Sequence, residues 1–315
     1  MPAISASAPG KIILFGEHAV VYGQPAIAVP VTQVKAKAIV TPAPGRPSGD
    51  IQVSAPEIEL DSPIRDLPLD HAIARAVELT LEAVGVAQPP ACAIRVSSTI
   101  PLAAGLGSGA AVTVAIVRAL SAFIGHPLPD EKVNAITFEV EKIHHGTPSG
   151  IDNTVVTYAH PVYFIKEQPI QTFMVKEPFT IVIGDTGVPS STAVAVGDVR
   201  EGWMAEPDKY NVLFDACGAI ARKAKDLIEA GNINTLGPLM NQNHALLVEM
   251  GVSSTDLDRL TQAARDAGAM GAKMSGGGRG GNMIALVKAE DAERIAEALV
   301  QAGAIHTITT EVGHG

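Results

Sequence analysis

Apolar and polar positions along the first hundred residues fall into short runs with β character: KIILF, PAIAVPV, VKAKAIVTP, DIQVSA and ACAIRVSS, each bounded by Gly, Pro, Ser or Asp. Helical periodicity then takes over. Asp70 is placed to cap a helix over 70–84 with Ile73, Val77 and Leu81 on one face. A second helix is expected over 108–124, where Val112, Ala115, Ile116, Ala119, Leu120 and Phe123 form an apolar stripe. A third opens at Asp130, carries Val133, Ile136, Val140 and Ile143, and stops at Gly146. TVVTYA, PVYFI and FTIVIGD read as strands, followed by helical patterns near 207–230, 232–250 and 255–268. A glycine loop, the strand NMIALV, a helix over 289–302 and the strand AIHTITTEV close the chain, like half of a split βαβ unit. Strands first and helices later predict an α+β fold rather than a doubly wound sheet. The expected domains are 1–168 and 169–315, with the boundary near 166–173.

Composition narrows the function classes. The chain has 315 residues, 47% hydrophobic and 18% charged, which suits a globular protein. Its net charge of −10 gives no general attraction for nucleic acid or an anionic membrane, so an anionic ligand must be held by local donors. No signal peptide and no spanning run of about 18 apolar residues is evident. Cys92 and Cys217 show no metal-binding or disulfide spacing and read as reduced, buried thiols, so a cytoplasmic location is expected.

The chemistry gathers at glycines. PLAAGLGSGAA, 101–111, places three glycines within five residues at the start of the 108–124 helix. A helix start offers unpaired N–H groups and a positive dipole end, and glycines let an anion approach them. Ser108 can cap this helix and offer a hydroxyl; an ordinary strand–turn–helix corner is the alternative. No Walker A loop is present, and the G-x-G-x-x-G match at 276–281 precedes a strand instead of opening a helix, unlike a dinucleotide fingerprint. Glu141, with His144 and His145 at i+3 and i+4, is either a solvated face or a carboxylate for Mg²⁺, whose other ligands are phosphates and water. Asp152, in GTPSGIDN, is either a turn residue or a base for a hydroxyl. Lys11 reads as a surface lysine, or as a cation that stabilises developing charge beside such a base. His18, after Glu17, has a structural reading too, and the remaining histidines form no ligand-like group.

Taken together, SAPGKIILFGEHAVVYGQPAIAVP, PLAAGLGSGAA and KMSGGGRGGNMIAL resemble, in order and spacing, the three motifs of the galactokinase, homoserine kinase, mevalonate kinase and phosphomevalonate kinase superfamily. The first motif is similar to that of the mevalonate kinase branch; galactokinases tend to read G-E-H-x-D-Y there. The resemblance implies a two-domain small-molecule kinase fold, a ribosomal-protein-S5-domain-2-like domain followed by a ferredoxin-like one, with ATP and Mg²⁺ as cofactors and mevalonate as substrate. It implies nucleotide phosphates bound by Pro101, Ala104, Gly105, Leu106, Gly107, Ser108, Gly109 and Ala110. It implies Asp152 as catalytic base, Lys11 as active-site lysine, and Glu141 with Ser108 as metal ligands. Glu17, His18, Ser191 and Thr192 match the substrate side, and Gly277 and Gly278 a loop that packs on the phosphate loop. A homodimer is one assembly it allows. A phosphomevalonate or sugar kinase, a decarboxylase and a non-catalytic sensor are the other readings; GEHAVV argues against the decarboxylase, and the intact Lys11, Glu141 and Asp152 against the sensor. The chain departs from the pattern twice. Gly109 stands where many relatives carry a metal-binding serine, leaving Ser108 or water to complete the shell. Arg279 interrupts a G-A-G-G-G run and reads equally as a phosphate or a domain contact.

Overall fold

The computed structural model of the chain describes residues 2–313 apart from 69, 102, 103, 146, 147, 170 and 190, and the expected stop at Gly146 lies outside them. Two compact units interleave along the chain. The first is Met1–Gly10, Val34–Pro101 and Gly107–Ala159; the second is Lys11–Gln33, Leu102–Leu106 and His160–Gly315.

The first unit draws on β1 (Ile4–Phe15), which pairs with β2 (Ala26–Pro42), then β3 (Ile51–Ala55), β4 (Leu60–Pro63), α1 (Ala72–Val84) and β5 (Cys92–Ser98). The runs PAIAVPV and VKAKAIVTP are one strand, β2. Its second half alternates buried Val34, Ala36 and Ala38 with exposed Lys35 and Lys37, as a strand with one covered face must. Ala36–Pro42 of that half pairs antiparallel with β5, which runs parallel to β3. α1, α2 (Ser108–Ile124) and α3 (Asp130–His145) supply the facing core, with Val77, Ile116, Leu120 and Val140 packed among Val40, Val53 and Val96. Asp70 does not cap α1. A turn closed by His71 N–H on Pro68 O (3.0 Å) makes His71 the N-cap residue. Ser108 is likewise not a cap: Gly107, at φ 72°, holds that position and Ser108 is the first helical residue.

TVVTYA is helical rather than extended, within α4 (Ile151–Tyr158). Its β-branched residues have strand propensity, but Val155, Val156 and Thr157 are buried and α4 packs on α2 and α3. Gly150 starts the helix from the left-handed region, and Thr154 Oγ1 donates to Gly150 O (2.6 Å). Asn153 donates to Asn134 on α3 (2.7 Å), while Arg118 of α2 donates to Thr157 O (2.6 Å) and Asp130 (2.7 Å).

In the second unit, β6 (Val162–Phe164) pairs with Ala26–Ala28 of β2 and with β7 (Gln171–Thr172). After it come β8 (Phe179–Asp185), α5 (Thr192–Ala205), α6 (Pro207–Ala230), α7 (Leu236–Glu249), α8 (Thr255–Asp266), β9 (Gly271–Ser275), β10 (Asn282–Val287), α9 (Ala292–Gln301) and β11 (His306–Val312). β8–β11 form an antiparallel sheet in the order β11-β8-β10-β9, which in chain order is fourth, first, third, second: the ferredoxin-like arrangement expected. α5 and β9 are additions to the elements expected. α5 is rich in valine and contains Gly197 and Gly202, and β9 is a short GAKMS with lysine at its centre, so neither carries a clear local signal. Among the described residues no helix is long and apolar enough to cross a membrane.

Asn153→Ala leaves the buried Asn134 carbonyl oxygen without its α4 donor. Urea unfolding should show a loss of about 1–3 kcal/mol, the cost of an unsatisfied buried group.

Candidate active site

Five of the expected residues sit on the mutually packed helices of the first unit: Ser108, Gly109 and Ala110 on α2, Glu141 on α3 and Asp152 on α4. α2 begins at Ser108 from the left-handed Gly107, so its first-turn N–H groups start at the glycine cluster. Glu141, near the end of α3, is 4% exposed, and its carboxylate reaches this turn: a Cβ on Gly109 would lie only 3.1 Å from Glu141 Oε1. Glycine at 109 thus leaves the room that brings a carboxylate to a helix start. Asp152 is partly buried on the first turn of α4, rather than in a loop, and is aimed by a rigid element. The side chains of His144 and His145 lie outside the described residues. Among the described residues no three His, Cys, Asp or Glu side chains gather to cage a metal. A buried carboxylate beside a helix start fits Mg²⁺, which takes one or two protein carboxylates and completes its shell with phosphate and water.

In the second unit, the GEH turn is joined to β9 and the loop that follows. Alternate side chains of a strand share a face. Lys273 forms a fully buried ion pair with Glu17 and donates to Met274 O (2.7 Å); Ser275 Oγ donates to Ile13 O (2.8 Å). Two residues further, Gly277 O accepts from His18 Nε2 (3.0 Å). Burial raises the Glu17 pKa and lowers that of Lys273, each opposed by the partner's charge. Lys11 is 5% exposed and near enough to favour the charged form of Glu17. A carbonyl only accepts, so His18 carries its proton on Nε2 and presents Nδ1 as an acceptor. His18 Nδ1 and Glu17 Oε2 are both buried without a hydrogen-bond partner among the described residues. Buried acceptors left unfilled in this way leave room for a donor from water or a ligand.

The loop 104–106 belongs to this unit. Leu106 O accepts from Lys11 N–H (2.9 Å), and Asn282 at the start of β10 donates its side-chain amide to Ala104 O. The third motif therefore supports the loop 104–106 through Asn282, while Gly277 faces α5: a Cβ there would meet Thr192 Oγ1 at 2.9 Å and Thr192 Cα at 3.0 Å. Ser191 caps α5, its hydroxyl accepting from Val194 N–H (3.4 Å), and Ser191 and Thr192 are exposed. Pro101, Gly107, Ser108, Gly109, Ala110, Glu141 and Asp152 lie in the first unit; Lys11, Glu17, His18, Ala104, Gly105, Leu106, Ser191 and Thr192 lie in the second. Lys273, Ser275 and Asn282 were not among the residues expected. The i, i+2 spacing of Lys273 and Ser275 was the one signal available for the first two.

Comparison with known proteins agrees with these motifs. The family described as GHMP kinases N terminal domain matches residues 71–160, and GHMP kinases C terminal matches residues 224–305. A mevalonate kinase of Pyrococcus horikoshii is 37% identical, covering 97% of this chain and 95% of that protein. The chain belongs to the GHMP kinases. Another such relative, the mevalonate kinase of Aeropyrum pernix, is 36% identical over 95% of this chain and 93% of its own length. Among solved GHMP kinases, L. major mevalonate kinase in complex with R-mevalonate superposes with a TM-score of 0.84 at 30% identity, over 98% of this chain and 95% of that one.

The buried histidine makes stability depend on pH. Burial lowers the His18 pKa from 6.5 to about 4, outweighing the Gly277 carbonyl that favours imidazolium. Between those two values the unfolded chain binds a proton that the folded chain refuses. This contribution is complete above pH 6.5 and falls away as the pH drops to about 4, on the order of 3 kcal/mol in all. Urea unfolding across this range should show the loss. Buried His244, also lowered to about 4, titrates in the same window, so His18→Gln should lessen the slope without abolishing it; an unchanged slope in the variant would contradict the assignment.

Proposed function

We propose that this chain transfers the γ-phosphoryl group of ATP to the C5 hydroxyl of mevalonate, giving 5-phosphomevalonate and ADP. The observation that carries phosphoryl transfer is the buried Glu141 carboxylate held against the glycine-led first turn of α2. The choice of mevalonate is supported by relatives bearing that name across nearly the whole chain.

In this reading the backbone amides of 105–110 and the start of α2 bind the phosphates, with fixed donors that need no reorganisation as charge develops. Glu141 would hold Mg²⁺, with the Ser108 hydroxyl as the second protein candidate; when bound, the ion would supply charge neutralisation for the transferring phosphate. Asp152 accepts the proton of the C5 hydroxyl as its oxygen bonds to the γ-phosphorus and the bond to the β-phosphate oxygen breaks. Lys11 steadies the charge on the transferring group. His18 Nδ1 and Glu17 accept hydrogen bonds from mevalonate, with Ser191 and Thr192 completing its site. Residues 1–168 then supply the nucleotide and catalytic half and 169–315 the remainder. A cytoplasmic enzyme suits the two buried free thiols.

Asp152→Asn should bind ATP normally and lose turnover by about a hundredfold or more, the scale of general-base catalysis. Near-native turnover would remove Asp152 from this role. Glu141→Gln should shift the Mg²⁺ titration of activity to higher concentration, and an unshifted curve would count against it. Coupled ADP release over mevalonate, phosphomevalonate, homoserine and galactose tests the substrate; release with any of the other three in preference to mevalonate overturns the reading.

A further inference from the structure

The loop 276–281 is glycine at every position except Arg279. We propose that Arg279 is a positioning residue: by pairing with Asp198 it latches α5 onto this loop and so sets the place of Ser191 and Thr192. The consequence for catalysis rests on the reading above, in which these two residues meet the substrate.

Arg279 takes φ 61°, a conformation that glycine adopts freely and arginine at some cost. Its surroundings hold it there from several directions. Its N–H donates to Val252 O (2.8 Å), and its Nε and Nη2 approach Gly251 O at 3.4 and 3.3 Å. Its Nη1 forms an ion pair with Asp198 on α5. One side chain therefore ties the loop to the turn after α7 and to the middle of α5. A strained residue persists where several contacts determine it together.

The N-terminal half of α5 has few other anchors, whereas its C-terminal half is held by Trp203, which donates to Asn211 (3.0 Å) and lies against the Tyr22 ring. Of the fourteen residues of α5 only Ala195 and Val199 are buried, and Ser191 through Val194 are exposed. An element with so little buried apolar surface opens at low free energy, so one polar contact shifts its docking measurably. The point where α5 meets the loop is Gly277, which lies against Thr192 and accepts from His18. Moving α5 off the loop would displace Thr192 from the backbone that also holds His18. The guanidinium is engaged with Asp198 and Gly251 O, which favours a latch over a phosphate contact. Both partners of the pair are partly exposed, at 39% and 43%, so the effect is modest and weakened by salt.

The test compares Arg279→Gly, Asp198→Ala and the double variant with the native protein. Glycine relieves the backbone strain, so Arg279→Gly should keep its melting temperature, and a change in binding cannot then come from global unfolding. Hydrogen exchange at the amides of 192–205 should rise about two- to fivefold in each single variant. The KM for mevalonate should rise by a similar factor at low salt, with kcat and the KM for ATP unchanged, and the double variant should be no worse than either single one. Unchanged exchange in α5, additive effects in the double variant, or a rise in the KM for ATP in place of mevalonate would each overturn the proposal. If the native protein releases no ADP with mevalonate, the substrate reading fails separately, and exchange in α5 alone decides the latch.

Discussion

A lysine ammonium without solvent must find a carboxylate, and for the fully buried Lys273 that carboxylate is Glu17, 256 residues away in sequence. Breaking such a pair by removing one partner costs about 3–5 kcal/mol, because the other charge is left stranded. An apolar pair of similar volume can fill such a space as well. What an apolar pair lacks is direction. The ion pair fastens the GEH turn to β9, and the bonds from Ser275 to Ile13 and from His18 to Gly277 add two further ties to the same segment. His18 then has only one acceptor position left, Nδ1, which like Glu17 Oε2 is buried without a hydrogen-bond partner among the described residues. The polar character of this site thus follows from the way the N-terminal segment is fastened to β9.

The first unit solves a different problem, that of placing carboxylates at helix ends. Glu141 is brought to the start of α2 because residue 109 has no side chain to exclude it. Asp152 is carried by α4, whose position is set by Asn134 at one end and Arg118 at the other. A loop aspartate would sample many positions; one on the first turn of a packed helix does not. The absence of a serine at 109, a departure from the motif, coincides with close approach of the carboxylate.

Much of this was legible in the chain. α2 runs over 108–124 as its apolar stripe indicates, and the fourth, first, third, second strand order agrees with the terminal split βαβ pattern. The three motifs, through their order and spacing, pointed to the family to which the chain belongs. The errors have local causes. TVVTYA looks extended because its residues are β-branched, yet burial against α2 and α3 outweighs that preference. Asp70 has the right chemistry for a cap, but the turn at Pro68 places the helix start beyond it. α5 and β9 gave no periodic signal because one is thinly buried and the other is five residues long around a lysine.

What the sequence determined by itself was the set of chemical groups and their local elements: glycines ahead of an apolar helix, a carboxylate on the next helix, a GEH turn and a second glycine loop. These depend on neighbours within a few residues, where periodicity and turn chemistry act. Only the tertiary structure decided which groups meet. Lys273 with Glu17, Gly277 with both His18 and Thr192, Arg279 with Asp198 and Asn282 with Ala104 are joined across 81 to 259 positions of chain. Such pairings are selected by burial, which makes an unpartnered charge or amide costly, and burial is a property of the packed fold rather than of any segment.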